Sequence, residues 1–327
     1  MLLIKKALLA ALTGFTALAL PGVSPVRAQT HAKIGIISPT FGHAPFYVAR
    51  EKGFFRKEGL VGEVIVMNRD ELIIQALVSD SIQFGNITPS ALFPAREQGL
   101  TNLRMILGSF NGTTYTIVGQ AKYNSLEQLK GAKLAVSSLT AGSTQVLKYI
   151  LKQKGLYYPR DYNLLRAGGT TLRWAALQTQ QVDAAILAEP VSIIAIEKGF
   201  SNLGDAFKLV PEYQLAGVWI KDEWAKKNRD VTLRFVRAFH NALTWLHDNR
   251  SEAVELLPRI TTLQTQYVQT AWETYTKAKI WPRDGKVNPR GVQIVIDLMV
   301  EEGQLKKPYP KPEEVIDHSY LLEVTGR

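Results

Sequence analysis

The sequence predicts an α/β protein with two lobes, each a mostly parallel sheet flanked by helices. The chain has 327 residues, which is about twice the length of a typical domain. Segments that read as strands alternate with segments of helical periodicity, and this alternation is typical of parallel sheets with helices on both faces. Two blocks of sequence also recur about 100 residues apart, so the second half repeats the order of the first.

The first 28 residues have the pattern of a secretory signal peptide. A basic start, MLLIKK, precedes the apolar run ALLAALTGFTALAL, and Val26 and Ala28 suit the positions before a cleavage site. The run has 14 residues, whereas a membrane-spanning helix needs roughly 20. We expect cleavage after Ala28 and release into the periplasm, with an uncleaved anchor as the alternative.

The chain contains no cysteine. An exported protein without cysteine has no disulfide framework and no acceptor for the thioether lipid of bacterial lipoproteins. We therefore expect a free, soluble protein that is not lipid-anchored and is held together by its apolar core. We separately expect a monomer.

The positive charge is mild. The net charge of +10 falls to +7 when residues 1–28 are removed, because Lys5, Lys6 and Arg27 leave without any acid. Such a charge favours an anionic ligand by electrostatic steering, or it is simply a solvated basic surface. The sequence has no Lys/Arg-rich run and no nucleic-acid motif, so we expect no nucleic-acid partner.

The first repeated block ends in the pattern S-x-T-x-G. KIGIISPTFG spans residues 33–42 and KLAVSSLTAG spans residues 133–142, with Lys, Ser, Thr and Gly at the same offsets. Each block begins with apolar residues typical of a buried strand and is followed by an amphipathic helix. The first of these helices is expected to end near Gly53 or Gly59, and the second at Gly155.

The second repeated block ends at a proline. ALVSDSIQFGNITPS begins at Ala76 and ALQTQQVDAAILAEP begins at Ala176. Each predicts the end of a helix, a polar turn, a buried strand and then Pro89 or Pro190, which suits the first turn of a new helix. Two unrelated α/β units could share one such match, but two blocks in the same order favour duplicated architecture.

After the second block the chain becomes helical. Two apolar stripes with helical spacing follow, one from Phe235 to Leu246 and one from Val292 to Met299, and the second ends at Gly303. We expect both stripes to pack into the core.

The repeated loops are the expected ligand site. In parallel sheets ligands bind beyond the carboxyl ends of the strands. The S-x-T-x-G loops lie there and lead into helix N-termini, whose free N–H groups favour an anion or a polar acceptor. The alternative role of each hydroxyl is helix capping. The candidate ligand-binding residues are Ser38, Thr40, Phe41, Gly42, His43, Asn86, Thr88, Asn111, Ser138, Thr140, Gly142, Ser143, Thr144, Thr170 and Glu189.

Enzyme signatures are missing from the sequence. It contains no G-x-S-x-G, no P-loop and no G-x-G-x-x-G. His240 and His247 are two helical turns apart, which is wide for a single metal ion. We therefore expect no catalytic residue, no cofactor and no metal site.

Four segments together resemble a known family. HAPFYVAREKGFFRKEGL, ALVSDSIQFGNITPS, SLEQLKGAKLAVSSLTAGS and GGTTLRWAALQTQQVDAAILAEP are similar to periplasmic substrate-binding proteins of ABC importers. The branch is the nitrate/sulfonate/taurine type, which also includes the thiamine-pyrimidine synthase-like proteins. These motifs are mostly structural, so they identify the family better than the ligand.

The resemblance implies a two-lobed periplasmic binding protein type II fold with the ligand cleft between the lobes. Lobe 1 would span residues 29–117, lobe 2 would span 118–217, and 218–327 would return to lobe 1 with C-terminal helices. The chain would cross between the lobes near Thr116–Gly119 and Ala216–Ile220.

The resemblance also implies a function. A small, anionic organic solute would be captured by closure of the lobes and delivered to an ABC permease. His43 falls on the histidine of the synthase-like enzymes, but those carry a cysteine-rich motif that this chain lacks. An exported enzyme that uses His43 and Glu189 as an acid–base pair, or a ligand sensor for a membrane receptor, are the alternatives.

Overall fold

The computed structural model describes residues 30–97, 99, 102–210, 212–261 and 263–326, so the expected signal peptide, 1–28, lies outside the described residues. Ten strands in these ranges form two sheets of five strands each. The strands are β1 (Thr30–Ile36), β2 (Leu60–Val66), β3 (Phe84–Ile87), β4 (Leu103–Phe110), β5 (Tyr115–Gly119), β6 (Lys133–Val136), β7 (Asn163–Arg166), β8 (Ala184–Ala188), β9 (Ser201–Asp205) and β10 (Ala216–Lys221).

Helices follow most of the strands and cover the sheets. In chain order they are α1 (Ala44–Glu51), α2 (Phe54–Lys57), α3 (Asp70–Val78), α4 (Pro89–Glu97), α5 (Gly142–Gln153), α6 (Thr170–Gln178), α7 (Val191–Glu197), α8 (Ala206–Leu209), α9 (Asp222–Lys227), α10 (Arg229–Asp248), α11 (Arg250–Thr261), α12 (Thr265–Lys277), α13 (Pro289–Glu301) and α14 (Ser319–Thr325). The helix expected after the first S-x-T-x-G loop is interrupted at Gly53, which adopts the left-handed conformation with φ 71°.

Both sheets have the same plan. The strand order is β2-β1-β3-β10-β4 in the first sheet and β7-β6-β8-β5-β9 in the second. Four strands of each sheet run in one direction, and the fifth, β10 or β5, is antiparallel to both of its neighbours. The sheets are therefore mixed, and the antiparallel strand is in each case the first one after the chain arrives from the other sheet.

The strand register repeats after 100 residues. Ile34 of β1 pairs with Phe84 of β3, and Leu134 of β6 pairs with Ala184 of β8. The repeated blocks of the sequence thus occupy equivalent places in the two sheets.

The chain passes from the first sheet to the second between β4 and β5, and it returns between β9 and β10. The expected crossings at Thr116–Gly119 and Ala216–Ile220 instead lie inside β5 and β10. The apolar pattern of these segments indicates a strand, but it does not indicate where the preceding connection ends. The crossings are therefore a few residues earlier than expected.

The C-terminal helices pack against the first sheet and its helices. Helix α10 contacts α1, α2 and α14, and its predicted apolar stripe is buried. The ring of Phe235 stacks on that of Phe84 with the centroids 3.6 Å apart, and Phe239 lies 4.6 Å from Phe46. Burial of each such side chain stabilises the fold by roughly 1.5–3 kcal/mol.

Candidate functional site

A small cavity lies between the two sheets, beyond the carboxyl ends of β1, β3 and β6. Its volume is about 40 Å³, which is room for a few water molecules. The residues that line it are Ile37, Ser38, Thr40, His43, Asn86, Thr88, Phe110, Thr114, Tyr115, Ser137, Ala141, Ser143, Gly169, Arg173, Ala188, Leu215, Ala216 and Tyr275.

Arg173 on α6 brings a buried positive charge to this cavity. The side chain is 2% exposed. Its Nη1 donates to Ser143 Oγ at 3.2 Å and its Nη2 donates to Thr170 Oγ1 at 2.8 Å. In the described part of the chain, Nε has no partner and no carboxylate lies within ion-pair distance of the guanidinium.

Hydroxyl groups and an aromatic ring surround this cation. The guanidinium lies over the ring of Tyr115, 5.6 Å from its centroid, and burial lowers the pKa of Arg173. Because a buried charge without an opposite charge is unfavourable, this end of the cavity suits an anion. Ser143, in the first turn of α5, adds a hydroxyl at a helix N-terminus, where negative charge is also favoured.

His43 contributes a neutral imidazole from the first sheet's side. Its Nδ1 lies 2.8 Å from Thr40 Oγ1, and its ring meets the edge of Phe110 at 5.2 Å. Burial lowers the pKa of His43 to about 3. The ring is therefore uncharged at neutral pH and is a hydrogen-bonding group rather than a cation.

Asn86 and Thr88, at the end of β3, are positioned by buried partners. Asn86 Oδ1 accepts from Ser109 Oγ at 2.6 Å. The backbone N–H of Thr88 donates to Asp70 Oδ1 at 3.0 Å. Burial raises the pKa of Asp70 to about 7. Asn86 and Thr88 both line the cavity.

The two halves of the molecule touch around the cavity. Ser90 Oγ donates to the carbonyl of Thr140 at 2.9 Å, and Thr140 Oγ1 donates to Glu71 Oε1 at 2.6 Å. A Cβ built on Gly169 would lie 2.5 Å from Cβ of Ser38. The cleft is closed in this structure, and glycine is needed where the halves meet most closely.

The structure places six of the predicted ligand-binding residues at the cavity wall. They are Ser38, Thr40, His43, Asn86, Thr88 and Ser143. Five of them come from the first half of the chain, because the loop after β1 and the end of β3 both face the cavity.

Other predicted residues support the wall without forming it. Thr170 holds Arg173, and the amide N–H of Gly142 donates to Thr88 Oγ1 at 3.2 Å. Thr144 Oγ1 donates to the carbonyl of Ser138 at 2.6 Å, which stabilises the second S-x-T-x-G loop together with Thr140.

Three predicted residues lie behind or away from the wall. Phe41 stacks on Trp281 with the centroids 5.3 Å apart, and the carbonyl of its neighbour Gly42 accepts from Trp281 Nε1 at 2.9 Å. Asn111 Nδ2 donates to the carbonyl of Lys286 at 2.8 Å, and this side chain lines a separate surface groove.

Several residues of the wall, above all Arg173, were not among the candidates predicted from the sequence. A signal for it existed, since Arg173 follows Thr170 by three residues and therefore lies on the same face of α6. Tyr115, Phe110 and Tyr275 carried no such signal, because their positions depend on how the crossing segment and α12 pack.

Glu189 lies next to the cavity wall rather than in it. Its backbone N–H donates to the carbonyl of Thr114 at 3.0 Å. Its Oε2 is buried with no partner among the residues the structure describes. Burial raises the pKa of Glu189 to about 7.

Glu189→Gln should change the pH dependence of stability and leave ligand binding in place. As pH falls from about 8 to about 5, the folded chain takes up a proton at Glu189 while the unfolded chain still has it ionised, so stability rises. The glutamine variant should lose the part of this stability increase that comes from Glu189. Thermal unfolding from pH 5 to 8 measures the difference. Glu255→Gln, at an exposed carboxylate, is the control, and an unaltered pH slope in Glu189→Gln would contradict the assignment.

Within the described ranges, the structure shows neither a candidate membrane-spanning helix nor a candidate metal site. Within the described ranges, no helix combines the length and apolar character needed to cross a bilayer. The same ranges contain no group of three or more His, Cys, Asp or Glu side chains that could hold a metal ion.

Comparison with known sequences identifies relatives over most of the chain. The family model described as NMT1/THI5 like matches residues 40–253. A protein of Brucella abortus (strain 2308) named as a binding protein is 25% identical over 318 residues, which cover 94% of this chain and 95% of the relative. The 4-amino-5-hydroxymethyl-2-methylpyrimidine phosphate synthase THI12 of Saccharomyces cerevisiae is 23% identical over 309 residues, covering 85% and 88%.

Solved structures share the fold. The periplasmic nitrate-binding protein NrtA of Synechocystis PCC 6803 matches with a TM-score of 0.73 and 16% identity, covering 91% of this chain and 88% of that one. The alkanesulfonate-binding protein SsuA of Xanthomonas axonopodis pv. citri, bound to MOPS, matches with a TM-score of 0.71 and 18% identity, covering 89% and 100%. These similarities confirm the predicted periplasmic binding protein fold.

Proposed function

The chain belongs to the NMT1/THI5-like family, and we propose that it is a periplasmic solute-binding protein for a small organic anion, such as a sulfonate or a carboxylate. The halves built on the first and second sheets act as two lobes that close around the solute. The closed form then delivers the solute to an ABC permease.

The observation that carries this proposal is the buried charge of Arg173. It lines the cavity with hydroxyl groups as its hydrogen-bond partners and without a carboxylate partner in the described residues. An anionic ligand would compensate this charge and accept hydrogen bonds from it, which are stronger than those between neutral groups. The anion therefore supplies the negative charge that the buried guanidinium of Arg173 lacks among the described residues.

Closure supports capture as the mechanism. The cavity wall is made from both halves of the molecule, since Asn86 and His43 belong to the first and Arg173 and Ser143 to the second. A ligand contacts all of them only when the lobes are closed, so binding shifts the population toward the closed form. The permease can recognise that form.

Catalysis finds less support in the site. The alternative of an exported enzyme pairs His43 with Glu189 as base and acid. The lowered pKa of His43, about 3, makes it a weak base, and Glu189 is not part of the cavity wall. We infer capture without turnover, although three relatives are synthases.

The proposed location and partners rest on the sequence and on similarity to known proteins. The signal-peptide pattern of residues 1–28 supports delivery to the periplasm, as do the periplasmic proteins that share the fold. We propose a monomer whose partners are the solute and the permease.

Thermal unfolding against a panel of solutes tests the function. Nitrate, alkyl sulfonates, taurine, carboxylates and pyrimidines should be added to protein that has been refolded from denaturant, so that no co-purified ligand remains. A ligand at 100 times its Kd adds about 2.7 kcal/mol to the free energy of unfolding. Stabilisation by organic anions supports the proposal, while a flat panel or a response to neutral solutes alone contradicts it.

A further inference from the structure

The two lobes present different chemistry to the cavity, and this difference narrows the class of solute. We propose that the solute is a compact monoanion that also carries a neutral hydrogen-bond acceptor, a hydroxyl or carbonyl oxygen, which binds Asn86 while the anionic group binds Arg173. The inference rests on the proposed function, because it concerns the same cavity.

The charge of the cavity matches a single negative charge. Arg173 is the one charged side chain among the described residues of the wall, since His43 is neutral. A second negative charge on the solute would meet no cation among the described residues of the wall, so a dianion is disfavoured.

The first lobe contributes a directed donor. Asn86 Oδ1 is occupied by the hydroxyl of Ser109, 2.6 Å away, so the NH₂ group of the side chain remains for the cavity. A side-chain amide nitrogen offers two donors and no acceptor. A buried donor that stays unpaired is unfavourable, so a solute with an acceptor oxygen here binds better than one with a methyl group.

The walls between these two groups limit the size of the solute. Phe110, Leu215 and Tyr275 line the cavity with apolar surface, and its volume is about 40 Å³, which favours a small solute. Arg173 lies on α6 of the second lobe, whereas Asn86 lies on β3 of the first. A short solute with its two polar ends on different carbons fits this arrangement and joins the two lobes.

Matched pairs of solutes test the proposal by isothermal titration calorimetry. Glycolate and propionate have nearly the same shape but exchange a hydroxyl for a methyl group, and so do isethionate and 1-propanesulfonate. We expect the hydroxyl member of at least one pair to bind about tenfold more tightly than its partner. Sulfate, a dianion, should bind more weakly than that member.

Two variants assign the preference to Asn86. Asn86→Leu should reduce the preference within the pair to about one while the alkyl member still binds, whereas a merely structural role would weaken both members equally. Ser109→Ala removes the same hydrogen bond but keeps the NH₂ group, so it should retain the preference. If Asn86→Leu fails to fold, the ratio of the two affinities within each solute pair, measured on the unaltered protein, still tests the proposal.

The outcomes separate this inference from the proposed function. Equal binding within both pairs overturns the inference and leaves the proposed function standing. Binding of larger anions alone, or tighter binding of sulfate, also overturns the inference alone. Failure of every anion to bind overturns both.

Discussion

Arg173→Met should weaken binding of the proposed anionic solute by about 100-fold or more, because truncating one partner of a buried charge pair has an effect of this size. The stability of the ligand-free protein should not decrease. Methionine has a similar length and no charge, and removal of a buried cation without an acidic partner is neutral or stabilising. Isothermal titration with the solute, together with thermal unfolding of the ligand-free protein, measures both effects.

Arg160→Met is the matched control for this prediction. Arg160 is 69% exposed and pairs with Asp161 at the surface of the second lobe, so its loss should leave binding unchanged. If Arg173→Met binds the solute as tightly as the control, Arg173 does not contact it and the anion site must lie elsewhere.

Gly169→Ala should keep the fold but weaken solute binding by about tenfold or more, the effect expected from overpacking a close contact. Gly169 belongs to the second lobe, and an added Cβ would lie 2.5 Å from Cβ of Ser38 in the first. In the proposed open form the two halves are apart and this contact is absent, so we expect the substitution to act on closure. Small-angle X-ray scattering should show that the solute reduces the radius of gyration less in the variant than in the unaltered protein.

Gly204→Ala controls for the loss of a glycine. Gly204 lies on β9, and its added Cβ would make ordinary contacts at 3.5 Å with Leu126 and Leu209. This variant should bind and close normally. Normal closure of Gly169→Ala would show that the contact with Ser38 can relax, and the closing surface would then have to be placed elsewhere.

Much of the fold was predictable because it depends on local pattern and repetition. The blocks at residues 33–42 and 133–142 predicted equivalent strands, and the strand registers repeat at that spacing. The apolar stripe that begins at Phe235 predicted a buried helix, and α10 is that helix. The family resemblance is confirmed by the match over residues 40–253.

The cavity was less predictable, because its wall depends on contacts between distant segments. Ser38 and Ser143 follow from loop position. Arg173 does not, because a single arginine in a helix is usually exposed and its burial here depends on Ser143 and Tyr115. Tyr275 reaches the cavity only through the packing of α12, which no local pattern encodes.

The position of β10 has a consequence for the order in which the molecule can assemble. Gly217 on β10 pairs with Ile87 on β3, 130 residues earlier, and β10 separates β3 from β4. All five strands of the second sheet lie between Tyr115 and Asp205. During synthesis or export from the N-terminus, the second sheet can therefore be complete before the first, which has a central gap until residue 221 emerges. Contacts of long sequence separation form slowly. Until β10 pairs with β3 and β4, the strands of the first sheet are exposed, and a chaperone would be needed most there.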